Sequence, residues 1–379
     1  MTEVNLPMLR QKRAFMAPTG LPVLALAAVL LLAAARAAHA KGQDTVLLDT
    51  GRTVPGVTVL REGYDKVEVD RDGDGKADES FPGEGVVNVT YDDAPMSFRQ
   101  GSVFIKQERF KEAADYFAKA VEEKDVRAFW LKQHANYLLG ECRRRMGETE
   151  KDQLAEARRA YERVGKEVPD GRLVPYAIRG LGLCYMEEGK NEAARGEFAK
   201  LVEKGHFGAP WALQGKLLLA QLSSREGKHA EALALCDEVL RAAEADTAAK
   251  KRSDLLGEAR LRRAEVLIAA GQHAKAREMF MQIAAETDER NVKIKARAYN
   301  AIGDCFLGEN RTREALLAYL RVRVLYFEAK DELPRALYGA ARCFTALKEP
   351  ERARELVTLL QKEYPNSLWT VKAQKELGG

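Results

Sequence analysis

The stretch VDRDGDGKADES, residues 69–80, places carboxylates at Asp70, Asp72, Asp74 and Asp78 around two glycines. Alternating carboxylates in a turning backbone direct hard oxygen ligands at a common centre, and the backbone carbonyl of Lys76 would add one more. That is the chemistry of a divalent cation such as calcium. A second reading is equally physical: Asp-Gly pairs between strands favour tight hairpin turns, and aspartate is a common turn residue. With or without a metal, the loop offers no nucleophile and no open coordination position. Its expected role is to stiffen a hairpin.

Such a loop needs strands on either side. From residue 45 to residue 91, Val, Thr and Tyr alternate with polar residues and turn formers recur, which predicts strands at 45–49, 53–61, 64–70 and 85–91. This small β-rich unit, residues 41–93, has little core of its own and is expected to pack on the segment C-terminal to it. In outline it is similar to an SH3-like or Sm-like half-barrel. The loop resembles the calcium loops of EF-hands and related loops inserted in β-proteins, matching D-x-D-x-D-G-x-x-D. It departs at the twelfth place, where Phe81 stands instead of a bidentate glutamate and leaves Glu79 or water to complete a shell.

From residue 94 the composition shifts to Ala, Leu, Glu, Arg and Lys with helical spacing. A small residue followed by larger ones four and seven places later recurs as Ala113/Phe117/Ala120, Ala157/Tyr161/Val164, Ala194/Phe198/Leu201, Ala232/Cys236/Val239, Ala276/Phe280/Ile283, Ala315/Tyr319/Val322 and Ala353/Val357/Leu360. The alanines lie 44, 37, 38, 44, 39 and 38 residues apart, with the larger insertions at GETEKDQ and ADTAAKKRSD. Together with GLGLCYMEEGKNEAARGEFAKL, this series resembles the tetratricopeptide repeat, whose basic period is about 34 residues. The fold class is therefore mainly α: an α-solenoid of about seven helical hairpins over residues 94–379, closed by a last helix in SLWTVKAQKEL.

The resemblance implies a non-enzymatic scaffold whose first helices line a concave groove for a protein or peptide. It assigns Tyr137, Arg144, Tyr176, Arg179, Arg297, Asn300, Arg335, Tyr338 and Arg342 to exposed positions on that face. These residue types would suit a partner segment carrying acidic and aromatic groups. The Lys/Asn/Arg clamp with which some relatives hold a chain-terminal carboxylate is not reproduced at these positions.

Cys142, Cys184, Cys305 and Cys343 occupy equivalent places in their hairpins, too far apart for consecutive disulfides, and are expected to be buried filler. His229 and His273 open second helices at matching positions, where they would pack or cap a turn. His134 and His206 have no partner that the sequence identifies. No HExxH, CxxC, GxSxG or phosphate-loop spacing occurs, so no residues are marked out for catalysis. The abundant Glu and Lys are expected on solvated faces, in pairs within single helices.

At the start, Arg10, Lys12 and Arg13 precede the apolar run GLPVLALAAVLLLAAA and a small-x-small site at Ala38-His39-Ala40. This reads as a secretory signal over residues 1–40, or otherwise as a membrane anchor, and places the rest of the chain in the periplasm or elsewhere outside the cytoplasm. Residues 1–40 carry four of the 61 Lys/Arg and one of the 57 Asp/Glu, which leaves 57 basic against 56 acidic residues. So even a balance excludes the broad basic field of sequence-independent nucleic-acid binding. Two functional readings stand: an exported adaptor binding a protein or peptide, and a structural, self-associating subunit of a cell-envelope or secretion complex. No cofactor is expected apart from calcium in the aspartate loop.

Overall fold

Valine supplies the inward face of the N-terminal sheet. Val46 in β1 (Asp44–Leu48), Val54, Val57 and Val59 in β2 (Thr53–Glu62), and Val67 and Val69 in β3 (Lys66–Asp70) are buried, with Phe81 of β4 (Glu79–Pro82) and Val86 and Val89 of β5 (Val86–Thr90). The computed structural model describes residues 43–123, 128–203, 206–245 and 253–377; the expected export segment and most of the insertion ADTAAKKRSD lie outside them. The five strands are antiparallel in the order β4-β3-β2-β1-β5. β2 serves two partners, residues 53–57 against β1 and residues 58–62 against β3, with an irregularity between Val59 and Arg61. A short 3-10 turn, Gly83–Gly85, leads into β5. The small antiparallel unit that the sequence suggests is thus present as a five-stranded sheet.

Strand β4 is absent from the sequence expectation. Only Phe81 of its four residues is buried, and Pro82 is tolerated because β4 lies at the sheet edge. As expected, the sheet does not complete its own core. Trp130 and Leu131 of the helical region join its valines, and Tyr91 stacks on Trp130 with ring centroids 4.2 Å apart.

The helical region pairs α1 (Met96–Lys106) with α2 (Phe110–Val121), α3 (Ala128–Met146) with α4 (Gln153–Glu167), and α5 (Val174–Glu187) with α6 (Asn191–Val202). It continues with α7 (Ala209–Arg225) and α8 (His229–Ala245), α9 (Ser253–Ala269) and α10 (His273–Glu286), α11 (Val292–Gly308) and α12 (Thr312–Leu325), and α13 (Leu333–Ala346) and α14 (Pro350–Glu363). The last helix, α15 (Leu368–Leu377), covers α13. Every residue of the seven small/large/large triplets is buried on a second helix.

The packing explains the pattern. Tyr161 of α4 lies between Gly140 of α3 and Gly180 of α5, where added Cβ atoms would come within 2.6 and 2.4 Å of its ring. Further along the array, Tyr319 sits in the same way between Gly303 and Gly339. Second helices are also tied to the end of the next first helix by Arg158–Glu188 (3.3 Å), Arg195–Glu226 (2.7 Å) and Arg277–Glu309 (3.0 Å). Among the described residues successive first helices from α3 to α13 touch one another, whereas second helices make no comparable contacts. The first helices therefore lie on the inside of the bend.

Candidate functional site: the junction cavity and the inner face

Glu62, the last residue of β2, is fully buried at the junction between the sheet and the helices. Its carboxylate accepts from Arg172 Nε (2.7 Å), His134 Nε2 (2.8 Å), Gln133 Nε2 (2.9 Å) and the Tyr91 hydroxyl (2.6 Å). Burial alone would raise its pKa, but the charges of His134 and Arg172 and the hydrogen bonds of His134 and Tyr91 overcome it and hold the group at about 2. The backbone is tied as well: Arg172 N–H donates to the Glu62 carbonyl (3.0 Å), Tyr64 N–H to that of Asp170 (3.0 Å), and Gly63 bridges Gly171. His134 thus has the partner that its sequence does not reveal. So does His206, whose ring nitrogen lies 3.1 Å from the Tyr64 hydroxyl.

This docking closes one side of a cavity of about 270 Å³. Its walls are Tyr64, Gly83 and Glu84 from the β-unit, Arg172, Tyr176 and Arg179 from α5 and the loop before it, and Pro210, Trp211 and Gln214 from α7. Tyr176 meets Trp211 edge to face at 4.5 Å, and the Arg179 guanidinium lies 5.5 Å from the Tyr176 ring centroid. Tyr137 borders the group, 5.9 Å from Tyr176, and burial with the nearby Glu141 charge pushes its hydroxyl up to about 12. A second cavity, of about 530 Å³, lies between α8, α9 and α10, and within its lining Arg263 is bonded to Asp237 at 2.7 Å.

The remaining residues assigned to the groove are mostly bound to one another's helices. Arg144 reaches Glu141 and Glu187, each at 3.4 Å. Arg297 on α11 pairs with Glu258 and Glu265 on α9, each at 2.7 Å. Arg335 pairs with Asp304 across α13 and α11. Asn300 and Tyr338 depart from the expected exposure, at 0% and 6%. The Asn300 amide donates to the Glu332 carbonyl and carboxylate (both 3.0 Å), and α15 covers Tyr338 with Trp369 and a bond to Glu376. Arg342 is exposed over the Tyr338 ring. The structure therefore places Tyr176 and Arg179 at one cavity with Tyr137 next to them, and makes Arg144, Arg297 and Arg335 rungs between first helices. These arginine rungs stand beside the pairs expected within single helices, such as Lys200–Glu197 at 2.7 Å.

Models of the tetratricopeptide repeat family match residues 134–171, 258–286 and 335–367, and a further one matches residues 180–249. The chain carries tetratricopeptide repeats. A search of curated proteins gives no match. Among solved structures, a tetratricopeptide repeat protein from Parabacteroides merdae is 16% identical, with 75% of this chain and 98% of that one aligned and a TM-score of 0.48. A Rap protein complexed with competence and sporulation factor is 12% identical over 74% and 76% of the two chains, with a TM-score of 0.46. PilF of Pseudomonas aeruginosa is 16% identical over 66% and 100%, with a TM-score of 0.37.

In this repeat protein the aspartate loop departs from an ordinary two-residue hairpin. Asp70 is buried and accepts from Gly73 N–H (2.7 Å) and Gly75 N–H (2.8 Å), while Asp78 accepts from Arg71 N–H (2.6 Å). Gly73 and Gly75 adopt φ of 84° and 83°, a region that glycine enters without penalty. Carboxylate oxygens of Asp70, Asp72 and Asp78 lie within 4.8 Å of one another, a span that fits oxygen ligands at about 2.3–2.6 Å around calcium. Asp74 stands outside this group, its carboxylate taken by Lys76 N–H at 2.8 Å. The repeat cysteines Cys142, Cys184, Cys236, Cys305 and Cys343 are all free and buried, as expected. Burial pushes the thiols of Cys142, Cys184, Cys305 and Cys343 up to about 12, which leaves them protonated near neutral pH.

Proposed function

We propose that this tetratricopeptide repeat protein is an exported, non-catalytic scaffold that holds a segment of a partner protein on the inside of its bend. The repeat fold serves association between proteins. The observation that carries the site is the junction cavity, where Tyr176 and Arg179 stand open beside Trp211 while the other inner-face arginines are largely engaged with neighbouring helices. Export is supported by Arg10, Lys12 and Arg13, the apolar run after them and Ala38-His39-Ala40. Among the described residues no helix is long and apolar enough to cross a membrane.

A second reading, a self-associating envelope subunit, is favoured by an exposed apolar row on α12 and just after it: Leu317, Val324 and Phe327 at 68%, 67% and 62% exposure. One experiment separates the two. A photo-crosslinking residue placed at Gln214, in the cavity, should yield adducts with another protein in intact cells, and one placed at Leu317 should not. Adducts between two copies through Leu317 would favour the subunit reading. Heteromeric adducts at Leu317 with none at Gln214 would remove the inner face from the interaction.

Calcium is proposed for the aspartate loop in a structural role, held by Asp70, Asp72 and Asp78. Calorimetry at millimolar calcium should show one weak site in the purified protein, lost in Asp72→Ala. No heat of binding in the unaltered protein would leave the loop as a self-bonded turn.

A further inference from the structure

The junction cavity holds an arginine that makes no direct ion pair. Arg179 has no carboxylate within ion-pair distance among the described residues. One terminal nitrogen is a weak 3.5 Å from the Tyr137 hydroxyl, and its buried Nε–H has no acceptor. The neighbouring cations have carboxylates within ion-pair distance: Arg172 has Glu62, and Arg144 has Glu141 and Glu187. Across the cavity, Glu84 is already engaged within the protein. A half-buried guanidinium with no paired carboxylate and a buried Nε–H without an acceptor is an arrangement that a ligand carboxylate would relieve.

Beside Arg179 the walls are aromatic. Tyr176 and Trp211 come from the repeats and Tyr64 from the β-unit, with Tyr64 held by its bond to His206 and its edge-to-face contact with Phe207 at 5.1 Å. Such rings favour an edge or face of another ring over an aliphatic chain. The volume, about 270 Å³, falls below the roughly 300–1,000 Å³ of small-molecule sites. It suits side chains of an extended peptide rather than a whole metabolite.

We propose that this cavity reads an acidic residue next to an aromatic one in the partner segment. The carboxylate pairs with Arg179, and the ring enters between Tyr64, Tyr176 and Trp211. The β-unit is then half of the recognition site, not a spacer. The inference rests on the inner-face scaffold reading above and names the chemistry of its partner.

The probe is N-acetyl-Glu-Phe-amide, with the Gln-Phe and Glu-Ala dipeptides as controls, followed through the Trp211 indole N–H signal of the purified protein. A saturable shift with Glu-Phe is expected, weaker by about tenfold with Gln-Phe. Arg179→Gln should erase the preference for Glu over Gln, and Arg179→Lys should retain part of it. Tyr64→Ala should weaken Glu-Phe and Gln-Phe alike. Equal binding of Glu-Phe and Gln-Phe to the unaltered protein, or no shift with any dipeptide, overturns the proposal whether or not a variant folds. If Gln214 still crosslinks to a partner in that event, only the assigned chemistry fails, not the inner-face reading.

Discussion

Glu62 illustrates how one side chain couples two parts of the chain. A carboxylate held at about 2, against an ordinary value of 4.5, contributes stability that is fully present above about pH 4.5. That contribution is lost as pH falls toward 2, because the folded state then binds the proton less readily than the unfolded chain. The displacement corresponds to on the order of 3 kcal/mol. Denaturant melts of the unaltered protein and of Glu62→Gln should therefore differ most at neutral pH and converge between about pH 4.5 and pH 2. A constant gap across that range would mean that the carboxylate carries no net charge advantage at the junction. Neither Glu62 nor its partners were legible in the sequence, because the bonds span 71, 72 and 110 residues and no local spacing marks them. Tyr176 and Arg179 were legible from repeat position alone. Tyr64, Glu84 and Trp211 were not, since they reach the cavity only through docking.

At the level of the helices, small residues decide where large ones go. Gly180 and Gly196 are both helical glycines, yet a Cβ on Gly180 would meet the Tyr161 ring at 2.4 Å, whereas one on Gly196 would meet nothing within 4 Å. Helix propensity favours alanine over glycine by about 1 kcal/mol, and overpacking a filled core costs about 1–3 kcal/mol. Thermal melts should therefore show Gly196→Ala stabilised by up to about 1 kcal/mol and Gly180→Ala destabilised by about 1–2 kcal/mol. A stabilised Gly180→Ala would show that the tyrosine has room to retreat. This logic is why the repeats were readable: the small residue, the ring and the spacing between them all lie within one hairpin or the next. The edge strand β4 was missed because four residues with one inward side chain leave no alternation to detect. The rungs Arg144–Glu187, Arg297–Glu265 and Arg335–Asp304 were missed for a different reason, since charged residues on a helix do not announce whether a neighbouring helix will come within reach.

Over the whole molecule, the sheet and the repeats share one structure: Trp130, Leu131 and Ala135 belong to the same buried cluster as the valines of the strands. Chain order then imposes a timetable. The strands are made first, but Glu62 must wait 71 residues for Gln133, 72 for His134 and 110 for Arg172. At roughly 5–20 residues per second, the last of these arrives on the order of ten seconds after Glu62 itself. Until residue 130 is made the valine face lacks the tryptophan that covers it, and until residue 172 the carboxylate destined for burial lacks its arginine. The N-terminal unit of a nascent chain is therefore open to a holding chaperone until the second hairpin and the start of the third emerge, and its own sequence does not complete it.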